Sequence, residues 1–225
     1  MTSDIAGRRI PWNNVEKRLY KTLNDYDRIR NIQACFAGRS QEMVELKTDR
    51  LVIRNFVYED WKDLQEIALD KEASEYAVYD HPFPTSEQEV KGITEWFAKG
   101  DHFLAVQETA VNKVIGYIAL NGGGNGSEMD LGYCFHSLYQ GKGYATEACT
   151  AVIHYAFDIL KAERLTSGTA NLNYPSCRLL NRLGFRKTGE GTASFRKSPE
   201  GNPIEFVGAA FQLEKKDWVK SSFTS

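Results

Sequence analysis

The chain has 225 residues, of which 42% are hydrophobic and 26% are charged, values typical of a globular protein. A formal net charge of −2 excludes a general electrostatic attraction to nucleic acid or to an anionic membrane, so we expect neither as a partner. The N-terminus has no apolar signal segment, and no stretch reaches the length of a membrane span. We therefore expect a cytoplasmic protein.

The cysteines are Cys35, Cys134, Cys149 and Cys177, and none belongs to a Cys-x-x-Cys pair. Histidine is scarce, so we expect no zinc site and no other bound metal. Each cysteine lies in an apolar stretch, which predicts small buried hydrophobic residues rather than a disulfide framework.

The sequence divides into an N-terminal helical extension, residues 1–43, and a main domain, residues 44–225. Within residues 12–36, apolar side chains recur mostly at spacings of three or four, which predicts one or two amphipathic helices. These helices either pack on the main domain or serve as a cover for a substrate site or as the arm of a homodimer.

The first part of the main domain contains one strand and two helices. Alternating β-branched residues predict a strand over residues 51–56, and a helical period predicts a helix over residues 59–68. Two prolines make residues 81–84 a loop. The next helix, over residues 86–99, begins with a Ser-x-x-Glu capping box and is ended by Gly100.

Three closely spaced strands follow, over residues 103–107, 114–120 and 129–135, and short turns between them predict an antiparallel meander. A strong amphipathic helix then covers residues 143–160, before a short strand over residues 165–170. The helix is a crossover, so the strands on either side of it should be parallel neighbours.

The last part of the chain contains a helix over residues 175–183, capped by Asn173, and strands over residues 185–195 and 205–213. The complete order is β-α-α-β-β-β-α-β-α-β-β. A meander that continues into a β-α-β-α unit predicts an α/β (α+β) domain with a mixed sheet and helices on both faces.

A glycine-rich turn, residues 140–145, connects a strand to the N-terminus of the long helix. Glycines let the backbone turn sharply and let an anion approach the amides, while the first helical N–H groups have no intrahelical acceptor. A pyrophosphate fits such a site. The turn matches neither GxxxxGK[ST] nor GxGxxG, because Gly143 follows Lys142 and Thr146 stands where the second pattern needs glycine.

Six segments together resemble the GNAT acetyltransferases, and in particular the branch that acetylates the N-termini of ribosomal proteins (RimJ/RimL-like). The resemblance covers roughly residues 44–215 in the right order. The segments are Gln140-x-x-Gly143-x-Ala145, Asp130-Leu-Gly-Tyr133, Gly141-Lys-Gly-Tyr-Ala-Thr-Glu-Ala148, Asn173-x-x-Ser176, Leu183-Gly184-Phe185 and Thr48-Asp-Arg-Leu-Val-Ile-Arg54.

The resemblance implies a GNAT fold, in which a mixed, mostly antiparallel sheet splays apart at the site of acetyl-CoA, the acyl donor. It implies that the pantetheine arm lies in that opening, near Asn173 and with Ser176 close to the thioester sulfur. The residues it places against the donor are Cys134, Phe135, His136, Gln140, Gly141, Lys142, Gly143, Tyr144, Ala145, Thr146, Asn173 and Ser176.

Acyl transfer to an amine needs a base, because an ammonium group has no lone pair. Strand alternation places Asp130 and Glu128 on one face, and either carboxylate could accept the proton, directly or through water. His136 has a better intrinsic pKa, but it stands where the resemblance implies a backbone role, so we favour the carboxylates.

The general acid is less clear, because many GNAT members carry a tyrosine at a position that is Leu180 in this chain. Leucine cannot donate a proton, and Ser176 is our expected substitute. Tyr174 and Tyr133 are the alternatives.

The acceptor should bind between the 70–100 region and the last strands, where Tyr76, Tyr79, Phe83, Trp96 and Phe97 supply aromatic material, although most of these should pack in the core. Asp80 and His81 could meet a cationic amine. The resemblance implies an acetyl-CoA-dependent N-acetyltransferase acting on a protein N-terminus or on a small amine, as in a resistance enzyme. The alternative is a non-catalytic acyl-CoA-binding sensor or assembly module.

Overall fold

The computed structural model describes residues 43–100, 102–122 and 127–222. The predicted helices within residues 12–36 lie outside the described residues, as does Cys35. The division between an extension and a main domain at residues 43 and 44 stays a prediction.

Eight strands form one sheet in the order β1-β2-β3-β4-β5-β6-β8-β7. All neighbouring strands are antiparallel except β5 and β6, which are parallel. The described elements, in chain order, are β1 (Glu45–Lys47), β2 (Leu51–Asn55), α1 (Trp61–Ala73), α2 (Glu87–Ala98), β3 (Phe103–Glu108), β4 (Lys113–Gly122), β5 (Glu128–Phe135), α3 (Tyr144–His154), β6 (Arg164–Ala170), α4 (Tyr174–Arg182), β7 (Arg186–Lys197), β8 (Pro203–Glu214) and α5 (Lys215–Ser222).

The predicted meander and the predicted parallel pair are both confirmed. Strands β3, β4 and β5 are consecutive antiparallel neighbours, and α3 crosses over from β5 to its parallel neighbour β6. Two predicted caps are also present: the Ser86 side chain accepts a hydrogen bond from the Glu89 amide, and that of Asn173 accepts one from the Ser176 amide. These local signals were readable because each side chain satisfies a helix N–H within three residues.

Other elements differ from the prediction. The sequence analysis missed β1, which has three residues and is held by pairing with β2, and α5, whose polar sequence carries little apolar period. Helix α1 runs five residues further than predicted, to Ala73, through a polar stretch. Helix α3 ends at His154 and continues as a π-helical turn, Tyr155–Ile159, in which the Leu160 amide donates to the Tyr155 carbonyl.

The sheet separates two apolar clusters, and β5 contributes to both. Helices α3 and α4 pack on one face, where Leu131 and Phe135 are buried. Helices α1 and α2 pack on the other face, against which Cys134 lies. Odd-numbered residues of β5 therefore face α3 and α4, while even-numbered residues face α1 and α2.

Among the described helices, none combines the length and the apolar character that crossing a bilayer requires.

Candidate functional site

Strands β5 and β6 pair only at their beginning. Residues Glu128, Met129 and Asp130 are opposite Arg164, Leu165 and Thr166, and the pairing stops there. Further along, the Ser167 hydroxyl donates to the Leu131 carbonyl at 2.8 Å. The two strands then diverge, as predicted, and a cavity of about 1030 Å³ lies at the divergence.

The glycine-rich turn lies at one end of this cavity. Gly141 and Gly143 have φ angles of 72° and 85°, in the left-handed region that favours glycine. Both glycines are exposed, and Gly143 is the N-cap of α3. The amides of the first helical turn have no intrahelical acceptor, so they are free to bind an anion at the mouth of the cavity.

Arg50 stabilises the turn through contacts with residues 142–147, a role that was not predicted from the sequence. Its guanidinium forms an ion pair with Glu147 at 2.6 Å and donates to the Lys142 carbonyl at 3.0 Å. It also lies over the Tyr144 ring, with Cζ 4.3 Å from the centroid. Thr48 completes the network by donating to Glu147 at 2.6 Å.

Three further residues that were predicted to contact acetyl-CoA form interactions within the turn and the short helical turn before it. The Gln140 side chain donates to the Phe135 carbonyl at 3.0 Å and so holds the start of the turn. His136 Nδ1 accepts from the Leu138 amide at 3.2 Å, which caps a short helical turn, and Lys142 Nζ lies over the Tyr139 ring at 5.6 Å. Of these three side chains, Gln140 lines the cavity and the other two do not.

Arg182, on α4, also lines the cavity and donates to the Thr146 hydroxyl at 3.3 Å. It therefore adds a cationic side chain beside the anion site. The sequence carries no signal that distinguishes Arg182 from an ordinary surface arginine.

The two candidate bases have different surroundings. Glu128 forms an ion pair with Arg164 at 3.2 Å and does not line the cavity. Asp130 lines the cavity and accepts a hydrogen bond from Thr166 at 2.9 Å. Burial raises the pKa of Asp130 to about 6, which the Thr166 hydrogen bond opposes. A carboxyl group with this pKa is a better base near neutral pH than an ordinary one.

A pair of hydroxyl groups faces the cavity from the other side of β5. Tyr133 Oη lies 2.8 Å from Ser176 Oγ, and either atom can donate. Burial raises the pKa of Tyr133 above its ordinary value. Leu180, in the position where many relatives have tyrosine, is 0% exposed and packs in the core. Tyr174 is 57% exposed and does not line the cavity.

Strand alternation therefore separates the acid and base candidates across the opening. Asp130 is on the even-numbered face with α1 and α2, while Tyr133 and Ser176 are on the face of α3 and α4. Both groups line the same cavity. A thioester carbonyl held in the opening would have a proton acceptor on one side and a proton donor on the other.

The predicted aromatic residues mostly reach the cavity. Tyr76, Tyr79, Phe83 and Phe97 line it, whereas Trp96 packs against Phe97 and Phe103 outside the lining. Asp80 and His81 also line the cavity. The Asp80 carboxylate forms an ion pair with Lys71 at 3.0 Å, and the His81 ring packs against Phe195 at 4.1 Å.

Cysteine chemistry is not indicated by the surroundings of the described cysteines. Cys149 is buried in the core, and Cys134 and Cys177 are partly buried. Burial raises the pKa of Cys134 to about 12, so its thiol stays protonated. Within residues 43–100, 102–122 and 127–222, no three His, Cys, Asp or Glu side chains are placed to hold a metal ion.

The splayed sheet, the glycine turn at a helix N-terminus and the shared cavity define an acyltransferase site. The family model described as "Acetyltransferase (GNAT) domain" matches residues 50–186, and the chain belongs to this family. It is an acetyltransferase of the GNAT type. Among relatives, p20, an uncharacterized N-acetyltransferase of Bacillus licheniformis, is 32% identical over 79% of this chain and 99% of its own. YnaD, an uncharacterized N-acetyltransferase of Bacillus subtilis (strain 168), is 29% identical over 71% and 91% of the two chains.

Solved structures share the fold. A GNAT-family acetyltransferase from Bacillus anthracis superposes with a TM-score of 0.66 at 23% identity, over 77% of this chain and 99% of its own. The ribosomal-protein-S5-alanine acetyltransferase from Vibrio fischeri gives 0.64 at 19% identity, over 78% and 98%. The microcin C7 self-immunity acetyltransferase MccE, in complex with acetyl-CoA and AMP, gives 0.61 at 15% identity, over 74% and 93%.

Proposed function

We propose that this acetyltransferase moves an acetyl group from acetyl-CoA to a primary amine, on a protein N-terminus or a small molecule, by direct attack of the amine on the thioester. One observation carries the proposal. A single cavity joins an anion site at the start of α3 with Asp130 and Ser176, which face it from opposite sides of β5.

The residues present suit acetyl-CoA as the donor. The exposed amides from Gly141 onward suit its pyrophosphate, and Arg182 adds positive charge there. The unpaired edge of β5 beyond Asp130 offers backbone groups to the amides of the pantetheine arm. The MccE structure, which contains acetyl-CoA, has the same fold.

Asp130 is the proposed base. The bound ammonium group first transfers a proton to its carboxylate, directly or through one water. The free amine then attacks the thioester carbonyl, and the proton that the nitrogen loses afterwards passes to solvent. The partial enclosure of Asp130 keeps its pKa near the working pH, at about 6. Glu128, held by Arg164, is the weaker candidate.

Ser176 is the proposed acid. When the carbon–sulfur bond breaks, its hydroxyl donates a proton to the leaving thiolate and is reprotonated through Tyr133 or solvent. A thiol with an ordinary pKa of roughly 8.5 is already a fair leaving group, so we expect a modest contribution from this acid.

The test is release of CoA thiol from acetyl-CoA in the presence of a panel of peptides, amino acids, polyamines and aminoglycosides. We expect turnover with at least one amine, and kcat/KM should decline tenfold per pH unit below about pH 6 as Asp130 becomes protonated. Asp130→Asn should lower kcat by roughly 10²–10⁴-fold while acetyl-CoA still binds.

Gly143→Trp is the complementary variant, because tryptophan is strained at a φ of 85° and its Cβ would stand 3.4 Å from Arg50 Nη2. It should lose acetyl-CoA binding while retaining its far-UV spectrum. Tight binding by the wild-type chain without turnover of any amine would indicate a non-catalytic acyl-CoA-binding module instead.

A further inference from the structure

The half of the cavity that faces α1 and α2 has an aromatic wall. Tyr117 is at its centre, with its ring centroid 6.5 Å from that of Phe83 and 6.3 Å from that of Phe103. On the opposite side, Phe206 lies 5.3 Å from Tyr79 and 5.4 Å from Phe195. All six rings line the cavity. This half is the acceptor half, because Asp130 faces it.

A β-bulge directs one of these rings. The register between β7 and β8 shifts between Ser194 and Arg196, which marks a β-bulge at Phe195. An extra residue in a strand bends it and re-aims the side chain, and here that side chain lines the cavity. The bulge therefore adds an apolar surface where an ordinary strand position would not.

Two ion pairs lie at this end of the cavity. Arg196 pairs with Glu72 at 2.9 Å and also donates to the Asp80 carbonyl, while Lys71 pairs with the Asp80 carboxylate at 3.0 Å. Asp130 differs, because it forms no ion pair with any residue in the described part of the chain. Asp130 is thus the carboxylate beside the diverging strands that can meet an ammonium group, while Asp70 and Glu75 line the cavity from α1 and the residues that follow it.

The part of the cavity wall next to Asp130 is formed by residues with small side chains. Gly132 and Ala119 are cross-strand partners, and a Cβ placed at Gly132 would lie 3.5 Å from that of Ala119. Both residues line the cavity. An amine can therefore reach Asp130 along this part of the wall while a flat group on the same molecule packs against Tyr117 and Phe195.

We propose that the acceptor is a primary amine carried on a short chain that ends in an aromatic ring. This inference rests on the proposed function and specifies its substrate class. Two sources share this chemistry, a free arylalkylamine and a peptide with an aromatic N-terminal residue.

The experiment measures kcat/KM at saturating acetyl-CoA with matched acceptors in two arms. The small-amine arm compares 2-phenylethylamine with 1,4-diaminobutane, and the peptide arm compares Phe-Ala-amide with Ser-Ala-amide. Burial of one aromatic ring predicts a preference of roughly 10–100-fold for the aromatic member, and the arm with the higher kcat/KM identifies the source.

Phe195→Glu and Phe195→Leu form a matched pair of variants. The first places a carboxylate in the aromatic wall and should reverse the preference toward 1,4-diaminobutane by at least about tenfold. The second ammonium group of the diamine can then pair with the introduced carboxylate. The second keeps the wall apolar and should preserve the wild-type order. Tyr58→Ala, at an exposed position outside the cavity, should change nothing.

The outcomes separate this inference from the function on which it rests. Equal or better turnover of the polar acceptor in both arms, or an unchanged preference in Phe195→Glu, would overturn the substrate class while leaving the acetyltransferase proposal intact. Absence of turnover with every amine would overturn both.

Discussion

At the scale of single residues, the proposed acid, Ser176, is one of a pair of hydroxyl groups. Leu180 is fully buried and contributes only packing, so no tyrosine is available from that position. Instead, Tyr133 on β5 and Ser176 on α4 lie 2.8 Å apart across the opening. If Tyr133 donates to Ser176 Oγ, the serine O–H is left to point toward a leaving sulfur. Tyr133 is then a positioning residue.

We expect Tyr133→Phe and Ser176→Ala each to lower kcat by roughly tenfold, with little change in the KM for acetyl-CoA, because loss of one hydrogen bond in a dry site is worth about 1–1.5 kcal/mol. The double variant should be no slower than Ser176→Ala alone, since Tyr133 acts through the serine. Steady-state kinetics of the four proteins measure this coupling.

A merely structural role for Tyr133 predicts different kinetics. The two substitutions would then be additive, and Tyr133→Phe would lower thermal stability in proportion to its loss of rate. The dependence on donor distinguishes the cases further: with a thioester of a more acidic thiol, the kinetic defect should shrink if these hydroxyls assist the leaving group.

At the scale of elements, the turn between β5 and α3 depends on the turn between β1 and β2. Arg50 and Thr48, in the β1–β2 turn, hold Glu147 in the first turn of α3, and Arg50 also holds the Lys142 carbonyl. Burial opposes ionisation of Glu147, but the hydrogen bonds from Thr48 and Arg50 outweigh it and lower its pKa. The proposed anion site is thereby held in shape without a ligand, which should reduce the ordering cost of binding acetyl-CoA.

We predict that Arg50→Met raises the Kd for acetyl-CoA by about tenfold and leaves kcat nearly unchanged, because Arg50 supports binding rather than the reacting groups. Isothermal titration with acetyl-CoA, together with kcat at saturating donor, makes the measurement. Lys99→Met, which removes an exposed ion pair with Glu95 on α2, is the control and should alter neither quantity. A loss of kcat at unchanged Kd would contradict a role of Arg50 in supporting acetyl-CoA binding.

At the scale of the whole molecule, Asp130 should lower the free energy of unfolding. Its folded pKa of about 6 lies above the ordinary Asp pKa of 3.8, so the folded state binds more protons than the unfolded state between these pH values. The free energy of unfolding therefore falls as pH rises from about 4 to about 6, and the full penalty applies above pH 6.

Asp130→Asn should accordingly be more stable than the wild-type chain at pH 7.5, by on the order of 1–3 kcal/mol, and the difference should nearly vanish at about pH 3.5, below the ordinary Asp pKa of 3.8. Urea unfolding at both pH values tests this, with the exposed Asp49→Asn as a control that should show no such difference. A variant that loses activity but is less stable than the wild-type chain at pH 7.5 would contradict the assignment of a functional, destabilising carboxylate.

Much of the fold was predictable because its signals are local. The caps of α2 and α4 act over three residues, the meander follows from alternation and short turns, and the glycine turn is marked by residues that tolerate positive φ. Strand β1 and helix α5 were not predicted. Strand β1 has only three residues and depends on pairing with β2, and α5 depends on contacts such as that of Trp218 with His154 more than on its own sequence.

The sequence by itself determined the order of the predicted elements, the class of protein and the position of the glycine turn, since each depends on residues close together in the chain. Only the tertiary structure decided which carboxylate faces the cavity, that Tyr133 meets Ser176, and that Arg50 braces a turn more than 90 residues away. The physical reason is the same in each case. Strand alternation gives the side of the sheet, but contact, burial and charge pairing depend on where the strands diverge. The divergence of β5 and β6 after Asp130 opens the cavity that has the glycine turn at one end.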